Sequence, residues 1–180
     1  MRINQSRRQA GGFSLMELMV VVAIIVLLAG LTIAGMGFIE GKKARDTAAV
    51  QVKLIENALQ NYHSDNRSYP QHLDPTGERG DEVLYKYLYW DGYVDRENGG
   101  VIYMPEFDPE NNTKGGQAWM QDTDAQARIV DPWGNYYRYR SGDAPDAQNV
   151  DFDLWSCGPD GRTNADPDHQ DSQDDIVNWK

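Results

Sequence analysis

Between Phe13 and Ile39 the chain carries one charged residue, Glu17, in an otherwise uncharged and largely apolar run. At about 1.5 Å per residue a helix over this run reaches about 40 Å, more than the ~30 Å hydrocarbon core of a bilayer. A membrane helix over 13–39 is therefore expected. A charge at membrane depth costs about 2.5–3.5 kcal/mol on insertion scales, so a carboxylate there is a functional residue by default. Arg2, Arg7 and Arg8 precede the run and form a basic head of the kind that stays cytoplasmic. A secretory signal has a shorter apolar stretch with its small-residue cleavage site after it. Here Ala10-Gly11-Gly12 come before the run. Cleavage there removes a leader, residues 1–12, and leaves the hydrophobic helix on the mature chain.

The segment Gly12-Phe13-Ser14-Leu15-Met16-Glu17-Leu18-Met19-Val20-Val21 resembles the class III signal of type IV pilins and type II secretion pseudopilins. The resemblance implies cleavage by prepilin peptidase between Gly12 and Phe13, N-methylation of Phe13, and a mature chain with Glu17 at its fifth position. The amine created at Phe13 and the Glu17 carboxylate would both lie in or near hydrocarbon, where pairing offsets the cost of each. If the Phe13 amine of one subunit meets Glu17 of a neighbour, the axial register between subunits is fixed. The role expected for Phe13 and Glu17 is thus assembly; the plainer alternative is a single-pass anchor whose Glu17 snorkels to the interface. Many members carry a proline about two-thirds along the helix. This chain has none there; Gly30, Gly35, Gly37 and Gly41 are candidates to soften it instead, at about 1 kcal/mol each relative to Ala, and the plainer alternative is that glycine is common in membrane helices.

The net charge is −11 over 180 residues, and −14 once the three arginines of the leader are set aside. Nucleic acid is not an expected partner of so acidic a chain, because phosphate binding needs basic patches. Cations are. The lone cysteine, Cys157, excludes an intrachain disulfide and reads as a small buried apolar residue. The three histidines, His63, His72 and His169, form no His-Glu-x-x-His, and no Gly-x-Ser-x-Gly is present, so neither of those hydrolase signatures applies.

Beyond Ile39 the helical signal continues. Ala44, Ala48, Val52, Ile55, Leu59 and Tyr62 recur at spacings of three and four and make one apolar stripe. One helix is expected from about Ser14 to about His63, with 40–66 as its amphipathic continuation. Ser64-Asp65-Asn66 and then Tyr69-Pro70 mark its end. Within the globular region 67–180, Glu82–Trp90 is expected as a short helix and Gly99–Met104 as a short strand, while Asp108–Gly116 reads as loop. Asp131-Pro132-Trp133-Gly134-Asn135 is a turn signal, followed by a strand over Tyr136–Arg140, a loop over Ser141–Asn149 and a half-buried strand over Val150–Ser156. The expected class is α+β, a long N-terminal helix packed on a small antiparallel sheet. The long helix, the Asp131–Asn135 turn and Asp153–Gly161 also resemble the major pseudopilin of type II secretion. That resemblance implies a structural subunit of a pseudopilus that supports export of folded proteins across the outer membrane.

The stretch 157–179 is rich in aspartate, and calcium takes six to eight oxygen ligands. No EF-hand spacing is present. Gly158-Pro159-Asp160-Gly161 and Asp174-Asp175-Ile176-Val177-Asn178-Trp179 match segments that bracket a calcium loop in major pseudopilins. By that resemblance the ligands are Asp160 and Asp175, then Asp174, then the Cys157 carbonyl; the plainer alternative is a solvated acidic tail. The implied partners are further copies in a helical filament, prepilin peptidase, an inner-membrane assembly platform and other pseudopilins. The implied location is the inner membrane, single-pass, with the C-terminal region in the periplasm. A type IV pilus subunit or a minor pseudopilin is the alternative of the same class, and a membrane-anchored envelope enzyme the alternative of another.

Overall fold

The computed structural model describes residues 13–89, 101–108, 119–123 and 126–179, with the side chains of 33–38 and 122–127 outside that description. The leader with Gly12, the helix end at Trp90, Gly99-Gly100 and most of the loop expected over Asp108–Gly116 lie outside the described residues. The fold is α+β and pilin-like. Helix α1 runs over Leu15–Asn66, within a few residues of the expected span. Internal contacts divide the chain at Gly41. In the N-terminal unit, Leu15–Thr32 is long and apolar enough to cross a membrane and none of it is buried.

In the second unit most of the α1 stripe is buried as its spacing predicts, with Ala44 and Tyr62 half-buried and Ala58 added to it. Ala48, Val52, Ile55, Ala58 and Leu59 are buried, and all but Ala48 join a core cluster with Val83, Leu84, Leu88, Tyr137, Tyr139 and Leu154. Full burial of an Ile or Leu side chain stabilises by about 1.5–3 kcal/mol, so this stripe is the chief link between helix and sheet. Gln51 is buried on the same face and accepts from the Tyr137 hydroxyl at 2.8 Å. The helix stops at Arg67, whose φ of 59° is left-handed and whose N–H donates to the His63 carbonyl at 2.7 Å.

Helix α2 spans only Gly80–Leu84 and continues as a π-helical turn over Tyr85–Tyr89. Two hairpin strands follow, β1 (Met120–Thr123) and β2 (Gln126–Ile129), paired antiparallel. The main sheet has the order β3-β4-β5, with β3 over Arg138–Ser141, β4 over Phe152–Ser156 and β5 over Ile176–Val177. Both of its pairings are antiparallel.

Two expectations differ from the structure. Residues 101–104 form no strand; instead the Tyr103 and Met104 N–H groups both donate to the Leu88 carbonyl, at 2.8 and 3.0 Å. That segment caps the end of the π-helical turn rather than joining a sheet. Strand β4 is buried at every position, not on one face. Its Asp153, fully buried, accepts from Arg140 Nε at 2.7 Å and from the N–H groups of Gln148 and Asn149, each at 2.8 Å. Those bonds satisfy both carboxylate oxygens and fold the Ser141–Asn149 loop back over the strand.

Candidate assembly and cation sites

At the start of α1 the side chains of Ser14 and Glu17 cap the helix reciprocally. The Ser14 N–H donates to Glu17 Oε2 at 2.9 Å, and the Glu17 N–H donates to Ser14 Oγ at 3.2 Å. This Ser-x-x-Glu arrangement satisfies two of the donors that any helix start leaves open. It was readable in the sequence, yet the apolar setting drew attention to the charge rather than to the cap. Phe13 precedes it and is 86 % exposed. Every described side chain from Phe13 to Thr32 is exposed. Among the described residues of this unit, none covers that apolar surface.

The acidic loop lies between β4 and β5. Its first turn, Gly158–Gly161, has two left-handed glycines, φ 65° and 68°. A Cβ on Gly158 would fall 2.6 Å from the Asp174 carbonyl oxygen and 2.8 Å from Asp174 Oδ2. The two segments singled out in the sequence are thus brought into contact, across a gap that only glycine leaves open. Asp160 is exposed, and its Oδ1 accepts from the Arg162 N–H at 2.9 Å. Asp175 Oδ2 accepts from Thr163 Oγ1 at 2.8 Å, and Trp155 Nε1 donates to that same hydroxyl at 3.1 Å. Ser172 Oγ takes the Asn164 N–H at 3.0 Å and gives its own proton to the Asn164 carbonyl at 3.2 Å, which ties the loop across its waist.

The donors here are carboxylates and carbonyls, the hard oxygen set that suits calcium, and the Gly158–Asp174 contact brings the two segments that carry them together. The carboxylates themselves are spread: among the described residues no three His, Cys, Asp or Glu side chains converge as metal ligands do. Asp160 and Asp175 are turned to partners of their own. Cys157 is buried and burial pushes its thiol up to about 11, so at neutral pH the sulfur is a protonated apolar group and only its carbonyl is a candidate ligand.

Behind the first turn stands a residue that sequence reasoning placed only in a turn. Asp131, 2 % exposed, accepts from the N–H groups of Trp133 and Asn135 through Oδ1, at 3.0 and 2.8 Å, and from Ser156 Oγ through Oδ2 at 2.6 Å. Burial pushes its carboxyl up, and these hydrogen bonds oppose the push.

Comparisons with known proteins agree with both ends of the chain. The family described as prokaryotic N-terminal methylation motif matches residues 7–33, and the family described as type II secretion system (T2SS), protein G, matches residues 107–179. Type II secretion system core protein G of Pseudomonas aeruginosa is 32 % identical over 96 % of this chain and 97 % of its own length. The protein of the same name from Aeromonas hydrophila is 31 % identical over 97 % of this chain and 95 % of its own. That of Escherichia coli K12 is 29 % identical over 93 % and 90 %. A long helix with an apolar first half capped by Ser14 and Glu17, a small antiparallel sheet with its acidic loop, and likeness along nearly the whole length lead to one conclusion: this chain belongs to the type II secretion system core protein G family, the pseudopilin subunits of that machinery.

Proposed function

We propose that the chain is processed between Gly12 and Phe13 by prepilin peptidase, N-methylated on Phe13, and polymerised through α1 into a periplasmic pseudopilus. The observation that carries this reading is the bare apolar surface of Leu15–Thr32 with one carboxylate in its first turn. Before assembly the helix spans the inner membrane once, with the globular unit in the periplasm. On assembly Glu17 exchanges its bond from the Ser14 N–H for the Phe13 amine of a neighbouring copy, which sets the register. Partners are further copies, other pseudopilins and the inner-membrane assembly platform, whose energy source lies outside this chain. The role is structural rather than enzymatic.

Calcium is the structural cofactor proposed for the acidic loop. Asp160, Asp174 and Asp175 with the Cys157 carbonyl would hold it, and the ion would supply the positive charge that so many aspartates lack. The oxygen donor set and the Gly158–Asp174 approach support this.

Intact mass and N-terminal sequencing of the protein from cell envelopes test the processing step: a chain beginning at methylated Phe13 is expected, and one still beginning at Met1 would sink the proposal. Glu17→Ala is expected to abolish filaments while leaving the folded globular unit intact; filaments of normal yield would remove Glu17 from assembly.

A further inference from the structure

The Asp131–Asn135 turn and the Gly158–Gly161 turn lie against each other through bonds that fix two consecutive peptide planes. A peptide is planar, so holding its N–H also aims the carbonyl on its other edge. The Gly158 N–H donates to Ser156 Oγ at 3.1 Å, and that peptide carries the Cys157 carbonyl. The next peptide is held from the other side, where Asn135 Nδ2 donates to the Gly158 carbonyl at 2.7 Å. Asn135 Oδ1 then crowds Gly161: a Cβ on that glycine would fall 2.8 Å from it. Asn135 itself is anchored, since its N–H is bound by Asp131, whose other oxygen takes the Ser156 hydroxyl proton. One buried carboxylate thus holds both side chains that orient the turn.

We infer that Asn135, backed by Asp131 and Ser156, is a positioning residue for the cation loop. It fixes the Gly158–Gly161 turn, and with it the Cys157 carbonyl, at the place where Gly158 meets Asp174. The inference rests on the calcium reading above. Asn135 touches no ion; it acts through the backbone it holds, as groups behind metal ligands do at a typical cost of about 10–100-fold in affinity when removed.

The test uses the full chain in detergent micelles, with terbium(III) luminescence excited through the tryptophans and displaced by calcium. Asn135→Ala removes the donor and the contact with Gly161. Asn135→Asp retains the shape but replaces the donor with a carboxylate facing the Gly158 carbonyl. Both are expected to weaken calcium at least about tenfold, while the melting curve in EDTA moves little. Wild-type affinity in both variants would overturn the inference. If the unaltered chain binds neither terbium nor calcium, the cation reading fails by itself. Limited proteolysis between Asp160 and Asp174 then decides the positioning role: faster cleavage in Asn135→Ala supports it, and an unchanged rate overturns it.

Discussion

Arg67 holds the left-handed position that ends α1, with φ 59°. Helix ends favour glycine there. A side chain in that region costs about 1–2 kcal/mol, and a glycine's extra freedom in the unfolded chain returns part of that. Arg67→Gly is therefore expected to stabilise by about 0.5–1 kcal/mol, read as a higher thermal midpoint. A second residue-scale prediction concerns Asp81, fully buried and paired with Arg128 through both carboxylate oxygens. Burial pushes the Asp81 carboxyl up, whereas donating hydrogen bonds to that carboxylate pushes Arg128 up. The desolvation falls mainly on the carboxylate because the guanidinium reaches the surface, stacked over the Tyr136 ring at 4.0 Å. Removing one partner leaves the other's charge uncompensated, so Asp81→Ala is expected to cost about 3 kcal/mol. Replacing both partners with leucine and methionine is expected to cost much less, and denaturant unfolding of the single and double variants checks this.

At the scale of elements, the loop between β4 and β5 carries the metal prediction. Calcium at a hundred times its dissociation constant would add about 2.7 kcal/mol to the stability of a protein that binds it only when folded. The midpoint is expected to rise with calcium and fall back in EDTA, and Asp174→Ala to abolish the response; an identical melting curve in both conditions would mean a solvated tail. Legibility also divides by element. The second half of α1 was readable because its apolar residues repeat at helical spacing over many turns. The Asp131–Asn135 turn was readable because its residue types are local signals, and the N-terminal signal because its order is specific. Helix α2 and the hairpin β1-β2 were harder, since four or five residues show no period. The segment 101–104 misled because Val-Ile-Tyr favours strands, while the bonds to Leu88 that decide its course come from another element. In β4 the polar residues Asp153 and Ser156 suggested a wet face; their partners, Arg140 and Asp131, lie too far along the chain to be seen in a local pattern. The role of Asn135 was hidden for the same reason.

For the whole globular unit, pH supplies a test. Burial lifts the phenols of Tyr137 and Tyr139 well above their usual value and the Cys157 thiol to about 11. The folded chain therefore holds protons that the unfolded chain releases from about pH 8.5 for thiols and about pH 10 for phenols. Stability from these groups is complete below that range and is lost as the pH rises through it. The thermal midpoint is expected to stay level to about pH 8.5 and then fall, with a shallower fall in Tyr139→Phe. Iodoacetamide at pH 8 is expected to leave Cys157 unmodified in the folded chain and to alkylate it after unfolding.

The three-stranded sheet offers little open edge on either side. Along β3 the Tyr139 N–H reaches the Gly77 carbonyl at 3.4 Å, and Gly80 packs so close that no Cβ would fit. At the other side β5 is only two residues long. Exposed edges recruit strands from other chains, and short or covered edges do not. A subunit that adds copies of itself, as proposed above, would meet a hazard of cross-β aggregation at any open sheet edge. On the reading proposed above, growth would be left to the helix, and polymerisation could be reversible and ordered while this sheet stays inert.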